Sequence, residues 1–304
     1  MATKPLHALA LLREVLDPRP PAQPTGEGAM VRDRGLRRIV NPADLEALEL
    51  ALALADGSVT AVAVGPERLE DGLRLAVSLG AARAIRVWDH GFEGSDSAAE
   101  ARLLARVFAI LKPGLVVAGS KLLDRGDEPA PAFAAALLGL PAVNAAVGLR
   151  VVGAVGAGFK PAPTPGGGVE ILRKGDRGAR QRLVAPLPCA VLFEAGSVVP
   201  RYPDWEMFLR GCEAEIEVWG LPELNVPIDE VGEAGARLRR DRVSFPRPRP
   251  VRVPTPAADL PGPERVAALL SGGIKARASV MHSGTADEVA EGLFELLRRE
   301  GLVP

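Results

Sequence analysis

Three short polar stretches hold residue types suited to gripping a small anionic ligand: Asn41-Pro42-Ala43-Asp44, Gly65-Pro66, and the loop over residues 119–128. Glycine lets a backbone close in on a ligand, and the first turn of a helix offers N–H groups that lack an intrahelical partner. Where such loops leave the carboxyl ends of parallel strands, a nucleotide is the natural occupant. Each stretch also has a plainer reading. Asn41-Pro42 suits a helix cap, Gly65-Pro66 suits a turn, and Asp124, Asp127 and Glu128 suit a solvated acidic loop as well as a metal or acid–base site.

Other chemistry finds little footing. The first strand is not followed by three spaced glycines, and neither a phosphate loop with its lysine nor a His-Glu-x-x-His run is present. His7, His90 and His282 are scattered, and Cys189 and Cys212 have neither metal-ligand spacing nor a disulfide framework. No serine–histidine–aspartate set is legible, so no catalytic residue is assigned.

The elements that would position these loops follow from the apolar pattern. Residues 6–12 read as a first strand, followed by a polar, proline-rich stretch over 17–38. Asn41 is expected to cap a helix with Pro42 at its first position and Asp44 in its first turn, carrying Leu45, Leu48, Leu52 and Ala55 on one face and ending at Gly57. Residues 59–64 are apolar on both faces, as a central parallel strand requires. A helix bearing Leu69, Leu73, Ala76 and Leu79 stops at Gly80. Strand 84–87, helix 98–111, strand 115–118 and the small-residue helix 130–138 complete an alternating α/β pattern. Beyond Pro141, shorter strands are expected at 147–155, 169–173, 182–185 and 189–193, with a turn at Gly166-Gly167-Gly168. A short helix fits 205–209, the proline-rich residues 246–263 read as extended, and 286–299 read as an amphipathic helix carrying Val289, Leu293, Leu296 and Leu297.

At 304 residues and 47% hydrophobic content the chain can bury a large core. A formal net charge of −1 argues against nucleic acid as the main partner, because phosphate neutralisation needs a basic excess. The arginines over 237–242 and 247–252 then read as a solvated or partner-facing stretch. Apolar runs such as 45–55 are too short to span a bilayer, and the N-terminus lacks the apolar core of a secretory signal. A cytoplasmic protein without membrane insertion is expected.

Taken in order, several motifs carry a resemblance. Residues 9–15 end in Arg13-Glu14-Val15, Asn41-Pro42 precedes a long helix, and residues 60–66 end in Gly65-Pro66. Leu79-Gly80-Ala81 closes the next helix, a glycine-led loop covers 119–133, and Pro188 to Phe193 is followed by Pro200-Arg201-Tyr202-Pro203. This set resembles the beta subunit of electron-transfer flavoproteins, the FixA type included. The resemblance implies a doubly wound, mostly parallel α/β sheet of the adenine-nucleotide-hydrolase-like class, with an extended C-terminal arm. It implies a domain over residues 1–225 and an arm over 226–304. It also implies a heterodimer with an alpha subunit that holds FAD, and electron passage from a flavin-dependent dehydrogenase to a quinone reductase or another acceptor. AMP or a second FAD would sit among Leu11, Asn41, Pro42, Ala43, Asp44, Val64, Gly65, Gly119, Asp124, Gly126 and Asp127.

Two departures stand out. Pro129 and Ala130 fall where the family has a glutamine followed by threonine or valine, whose side-chain and backbone groups hold phosphate and ribose, and proline brings no N–H. Trp205, with Met207 and Phe208 nearby, falls where the family presents a leucine to its partner dehydrogenase. The alternative is a scaffolding subunit of the same fold whose nucleotide pocket is empty.

Overall fold

The computed structural model describes residues 6–20, 36–55, 58–152, 168–238, 256–270, 283–299 and 301–303. The chain divides into two compact units, residues 1–244 and 245–304.

The strands are β1 (Ala8–Leu11), β2 (Glu14–Leu16), β3 (Arg38–Val40), β4 (Val59–Val64), β5 (Arg83–Val87), β6 (Leu115–Gly119), β7 (Lys121–Leu122) and β8 (Gly126–Asp127). They continue with β9 (Ala142–Val152), β10 (Gly168–Lys174), β11 (Arg180–Pro186), β12 (Cys189–Phe193) and β13 (Glu217–Trp219). Nine of them form one sheet in the order β11-β10-β9-β12-β6-β1-β4-β5-β13. Pairing is parallel from β9 through β13, while β9, β10 and β11 run antiparallel as a lateral extension.

Side chains alternate across the central strands, so each strand feeds two cores. Ala8 and Ala10 of β1 join one core with helices α1 (Pro42–Leu54) and α2 (Glu70–Leu79). Leu9 and Leu11 join the other with α3 (Ser97–Leu111) and α4 (Ala130–Leu137). Helices therefore cover both faces, the doubly wound arrangement. The predicted inward face of α2 is met residue for residue: Leu69, Leu73, Ala76 and Leu79 are all buried. Gly80 then takes a left-handed conformation (φ 119°) and donates its N–H to the carbonyls of Ala76 and Val77, which ends the helix.

Several elements differ from expectation. Helix α1 buries Ala43, Ala47, Leu48, Ala51 and Ala55 together with Asp44 and Glu46, while Leu45 and Leu52 are only half-buried. The proline-rich run over 17–38 is bracketed by a two-strand ribbon, β2 with β3, antiparallel. The loop after Gly119 contains a second ribbon, β7 with β8. Strand β9 begins five residues earlier than position 147. Gly57, Gly166, Gly167 and most of the arginine cluster beyond Leu238 lie outside the described residues. In the second unit, helices run over Gly262–Leu270 and Ala286–Arg299, the first of them unforeseen in the sequence. Among the described residues no helix is long and apolar enough to cross a membrane.

Candidate functional site

From β1 the chain proceeds outward to β4 and β5, then crosses back so that β6 lies on the other side of β1. The carboxyl ends of β1 and β6 are therefore the switch point where a doubly wound sheet opens a crevice. Arg13 leaves β1 there, Gly119 ends β6, and α1 brings Asn41 and Asp44 from the side.

A buried ion pair fills that crevice. Arg13 Nη2 lies 2.5 Å from Asp44 Oδ1 and Nε lies 3.0 Å from Oδ2. The backbone N–H of Arg13 donates to Oδ2 at 3.0 Å, and that of Gly119 donates to Oδ1 at 2.6 Å. Nη2 also donates to the Gly119 carbonyl at 2.6 Å. Burial alone would lower the Arg13 pKa, but the charge and hydrogen bonds of Asp44 prevail and hold it above its ordinary value. Gly119 makes the close approach possible: a Cβ there would stand 2.6 Å from Ala43 Cβ and 2.9 Å from Asp44 Oδ1. Thus Asp44 and Gly119 are brought together with Ala43, and they face one another.

Asn41 also works differently from a cap. It makes no side-chain hydrogen bond to its helix. Its Nδ2 donates to the Lys121 carbonyl at 3.0 Å and its Oδ1 accepts from Leu123 N at 3.3 Å, which fixes the β7–β8 ribbon. Within that ribbon Asp124 accepts from Leu16 N, Gly126 turns with φ 83°, and Asp127 is exposed. Among the described residues no group of three or more metal-ligating side chains comes together.

The open space lies beside the ion pair, on the α3 side of the carboxyl edge. It is a cleft of about 420 Å³, within the range of small-ligand sites. Arg13, Val64, Pro66, Ser95, Asp96, Glu100, Arg125 and Glu128 line it. Of the expected site residues Val64 borders it directly; Leu11 is buried in β1, and Gly65 (φ 149°) turns the chain out of β4. Arg13 Nη1 is buried without a hydrogen-bond partner. Nearby, burial pushes the Glu100 carboxyl up to about 7, and the negative charge of Glu128 adds to the rise.

Glu100 makes stability depend on pH in a defined direction. The folded protein keeps this proton up to about pH 7, whereas the ordinary value is 4.5, so the unfolded chain binds fewer protons between those limits. Raising pH through that window removes stability, on the order of 1–2 kcal/mol for a half-buried group. Urea unfolding of Glu100→Gln is expected to lack that decline; an unchanged pH profile would refute the assignment.

A second polar series extends α1 toward the segment after β12. The Glu46 carboxylate accepts from the backbone N–H groups of Gly196, Ser197 and Val198 at 2.9, 2.7 and 3.4 Å. Glu49 takes a bidentate pair from Arg201, with Nη2 at 2.5 Å and Nε at 2.8 Å. Three residues later Asp204 caps helix α5 (Trp205–Cys212) through Met207 N. Trp205 is 73% exposed and its ring stacks on that of Phe208 at 5.8 Å, while Met207 is half-buried. Gly211 lets α5 press against α2, since a Cβ would fall 1.8 Å from Ser78 Oγ.

The sequence reading missed Arg13 as a lock, Asp96 and Glu100 as cleft residues, and Glu46 as a loop anchor. Glu46 lies off the apolar face expected for α1, and only the face the structure buries, with Ala43 one helical turn before it, shows it turned toward the chain.

A family model described as electron transfer flavoprotein domain matches residues 29–224. The chain is 33% identical over 193 residues to electron transfer flavoprotein subunit beta of Mycobacterium leprae, covering 63% of this chain and 67% of that protein. It is 33% identical over 182 residues to the protein of that name from Mycobacterium tuberculosis strain H37Rv, covering 60% and 63%. With protein FixA of Azorhizobium caulinodans it shares 30% identity over 213 residues, covering 67% and 71%. The chain thus spans between 63% and 71% of the length of these relatives.

Proposed function

The chain belongs to the electron transfer flavoprotein family, and from that premise we propose that it is a beta-type subunit that joins a FAD-holding alpha-type chain and docks a flavin-dependent dehydrogenase. The observation that carries this reading is the extent of the match, residues 29–224, which takes in α1, the parallel strands from β4 outward and the segment presenting Trp205. FAD, bound mainly by the partner chain, supplies the electron-carrying chemistry. The residues of this chain orient and dock. Arg13 and Asp44 fix the crevice, Glu46 and Glu49 hold the segment over 196–201, and the Trp205–Phe208 stack offers a rigid apolar anchor. The second unit, with an amphipathic helix over Ala286–Arg299, suits an arm laid on the partner's surface, whereas Val226 and Val231, expected within that arm, pack into the core of the first unit. A quinone reductase or another soluble or membrane-bound acceptor would receive the electrons, in the cytoplasm.

AMP, which the family resemblance implies, fits this chain poorly at its phosphate. Helix α4 begins at Pro129-Ala130-Pro131, where two residues carry no N–H and the third donates to Glu128 Oε1 at 3.2 Å. That observation favours, for the pocket itself, the scaffolding variant in which the subunit works without its own nucleotide.

Co-expression of the full chain with the alpha-type subunit of its own genome tests the proposal. A stoichiometric complex with flavin absorbance that accepts electrons from a dehydrogenase is the expected result. A chain that purifies alone under those conditions would overturn it.

A further inference from the structure

Helix α4 has no polar side to turn toward water. From position 129 to 143 the sequence holds no charged or hydrogen-bonding side chain. One side of the helix faces the core, where Ala130, Ala134 and Ala135 are fully buried. The other side leaves Phe133 51% and Leu137 60% exposed, with Leu138 at the cap 39% exposed. A helix that is apolar all round belongs in an interior, and a contiguous apolar patch rimmed by polar groups marks an interaction surface.

That surface has relief. Leu137 stands between two hollows of about 540 and 420 Å³. The first has Ala98 and Ala101 of α3 beside Phe133, and the second has Ala105 and Ala109 beside Leu138. Small residues on α3 thus leave a groove along α4 that side chains of another chain can enter.

The rim has a sign. Arg102 borders both hollows, Arg237 the first and Arg106 the second, against Glu230 alone among the described carboxylates that line them. Arg102 Nη1 donates to the carbonyls of Glu230 and Gly235 at 2.9 and 3.3 Å, and Arg106 Nε to that of Leu224 at 2.9 Å. Carbonyls fix these guanidinium groups without cancelling their charge. The groove is net positive, so its complement is acidic.

Its position matters too. Helix α4 packs into the core that holds Leu9 and Leu11, whereas α5, which carries Trp205, presses on α2 in the other core. A partner seated on α4 therefore leaves the tryptophan accessible. A helix without polar side chains also suits a partner that stays, because permanent interfaces are more apolar than transient ones.

We propose that the α3–α4 groove seats the FAD-holding alpha-type chain, which fills it with an apolar ridge flanked by acidic side chains. Phe133 and Leu137 are its anchors, and Arg102 and Arg106 receive the carboxylates. This deepens the subunit assignment above and rests on it.

The test is the dissociation constant of the full chain co-expressed with the alpha-type chain, read by analytical ultracentrifugation over a dilution series. Leu137→Glu is expected to weaken the complex by about thirtyfold or more, and Leu137→Lys by about tenfold at most, since a cation there meets the partner's acids. Phe133→Ala, which adds no charge, should cost about tenfold in affinity and serves as a second reading if Leu137→Glu fails to fold by circular dichroism. Arg210→Ala, on α5 across the sheet, should stay within about twofold of wild type. Wild-type affinity in Leu137→Glu and Phe133→Ala, or a weaker complex with Leu137→Lys than with Leu137→Glu, would overturn the proposal. So would a homodimer of the full chain that Leu137→Glu dissolves, which would give the groove to a second copy. A wild-type chain that forms no complex sinks the subunit assignment itself, whereas an intact complex indifferent to these substitutions sinks the groove alone.

Discussion

Asp44→Ala is expected to lower folding stability by about 3–5 kcal/mol, the largest effect of any single substitution considered for this chain. Asp44 is fully buried and each of its oxygens accepts from two donors: Arg13 N and Nε at Oδ2, Arg13 Nη2 and Gly119 N at Oδ1. Alanine would leave the guanidinium charged, dry and without its anion, and would also free the Gly119 amide. Asp44→Asn keeps the shape and part of the hydrogen bonding but removes the charge, so it should fall between wild type and Asp44→Ala. Urea titrations read both, with the midpoint expected to drop in that order. An Asp44→Ala protein within about 1 kcal/mol of wild type would mean that Arg13 finds another partner and that the crevice is not locked by this pair.

The second large effect is on association. Trp205→Ala is expected to weaken dehydrogenase binding by about thirtyfold or more, corresponding to at least about 2 kcal/mol for an aromatic anchor. Folding should be nearly unaffected, because the side chain is 73% exposed and Asp204 still caps α5. Arg210→Ala on the same helix removes only an exposed pair with Glu206 and should change binding by less than about twofold. Surface plasmon resonance of the complex against the dehydrogenase measures both. Equal affinities for wild type and Trp205→Ala would remove Trp205 from the docking surface.

Much of the sheet was legible because the parallel strands are apolar on both faces and bounded by Gly80, by Pro113-Gly114 and by Asn41-Pro42. Strand β12 and the buried face of α2 were read to the residue for that reason. The site was less legible. A polar residue at a helix start reads as a cap, yet Asn41 spends its amide on residues 121 and 123, some eighty positions away. Local spacing carries no trace of such a bond. Arg13 likewise reads as the charged end of a strand, and only the crossover from β5 back to β6 places Asp44 and Gly119 against it. Short ribbons such as β2–β3 lack the length to show a period of two.

Through four side chains, Asn41, Asp44, Glu46 and Glu49, helix α1 and its cap make four sets of contacts: with the ribbon at 121–123, with the β1 and β6 ends, with the turn at 196–198, and with Arg201. Detaching that single element would therefore release all four at once. In amide deuterium uptake, the N–H groups of Arg13, Gly119, Leu123 and Ser197 should open as one cooperative unit despite their distance along the chain. The helix is a hub, and its departure is a single event felt at both the crevice and the tryptophan.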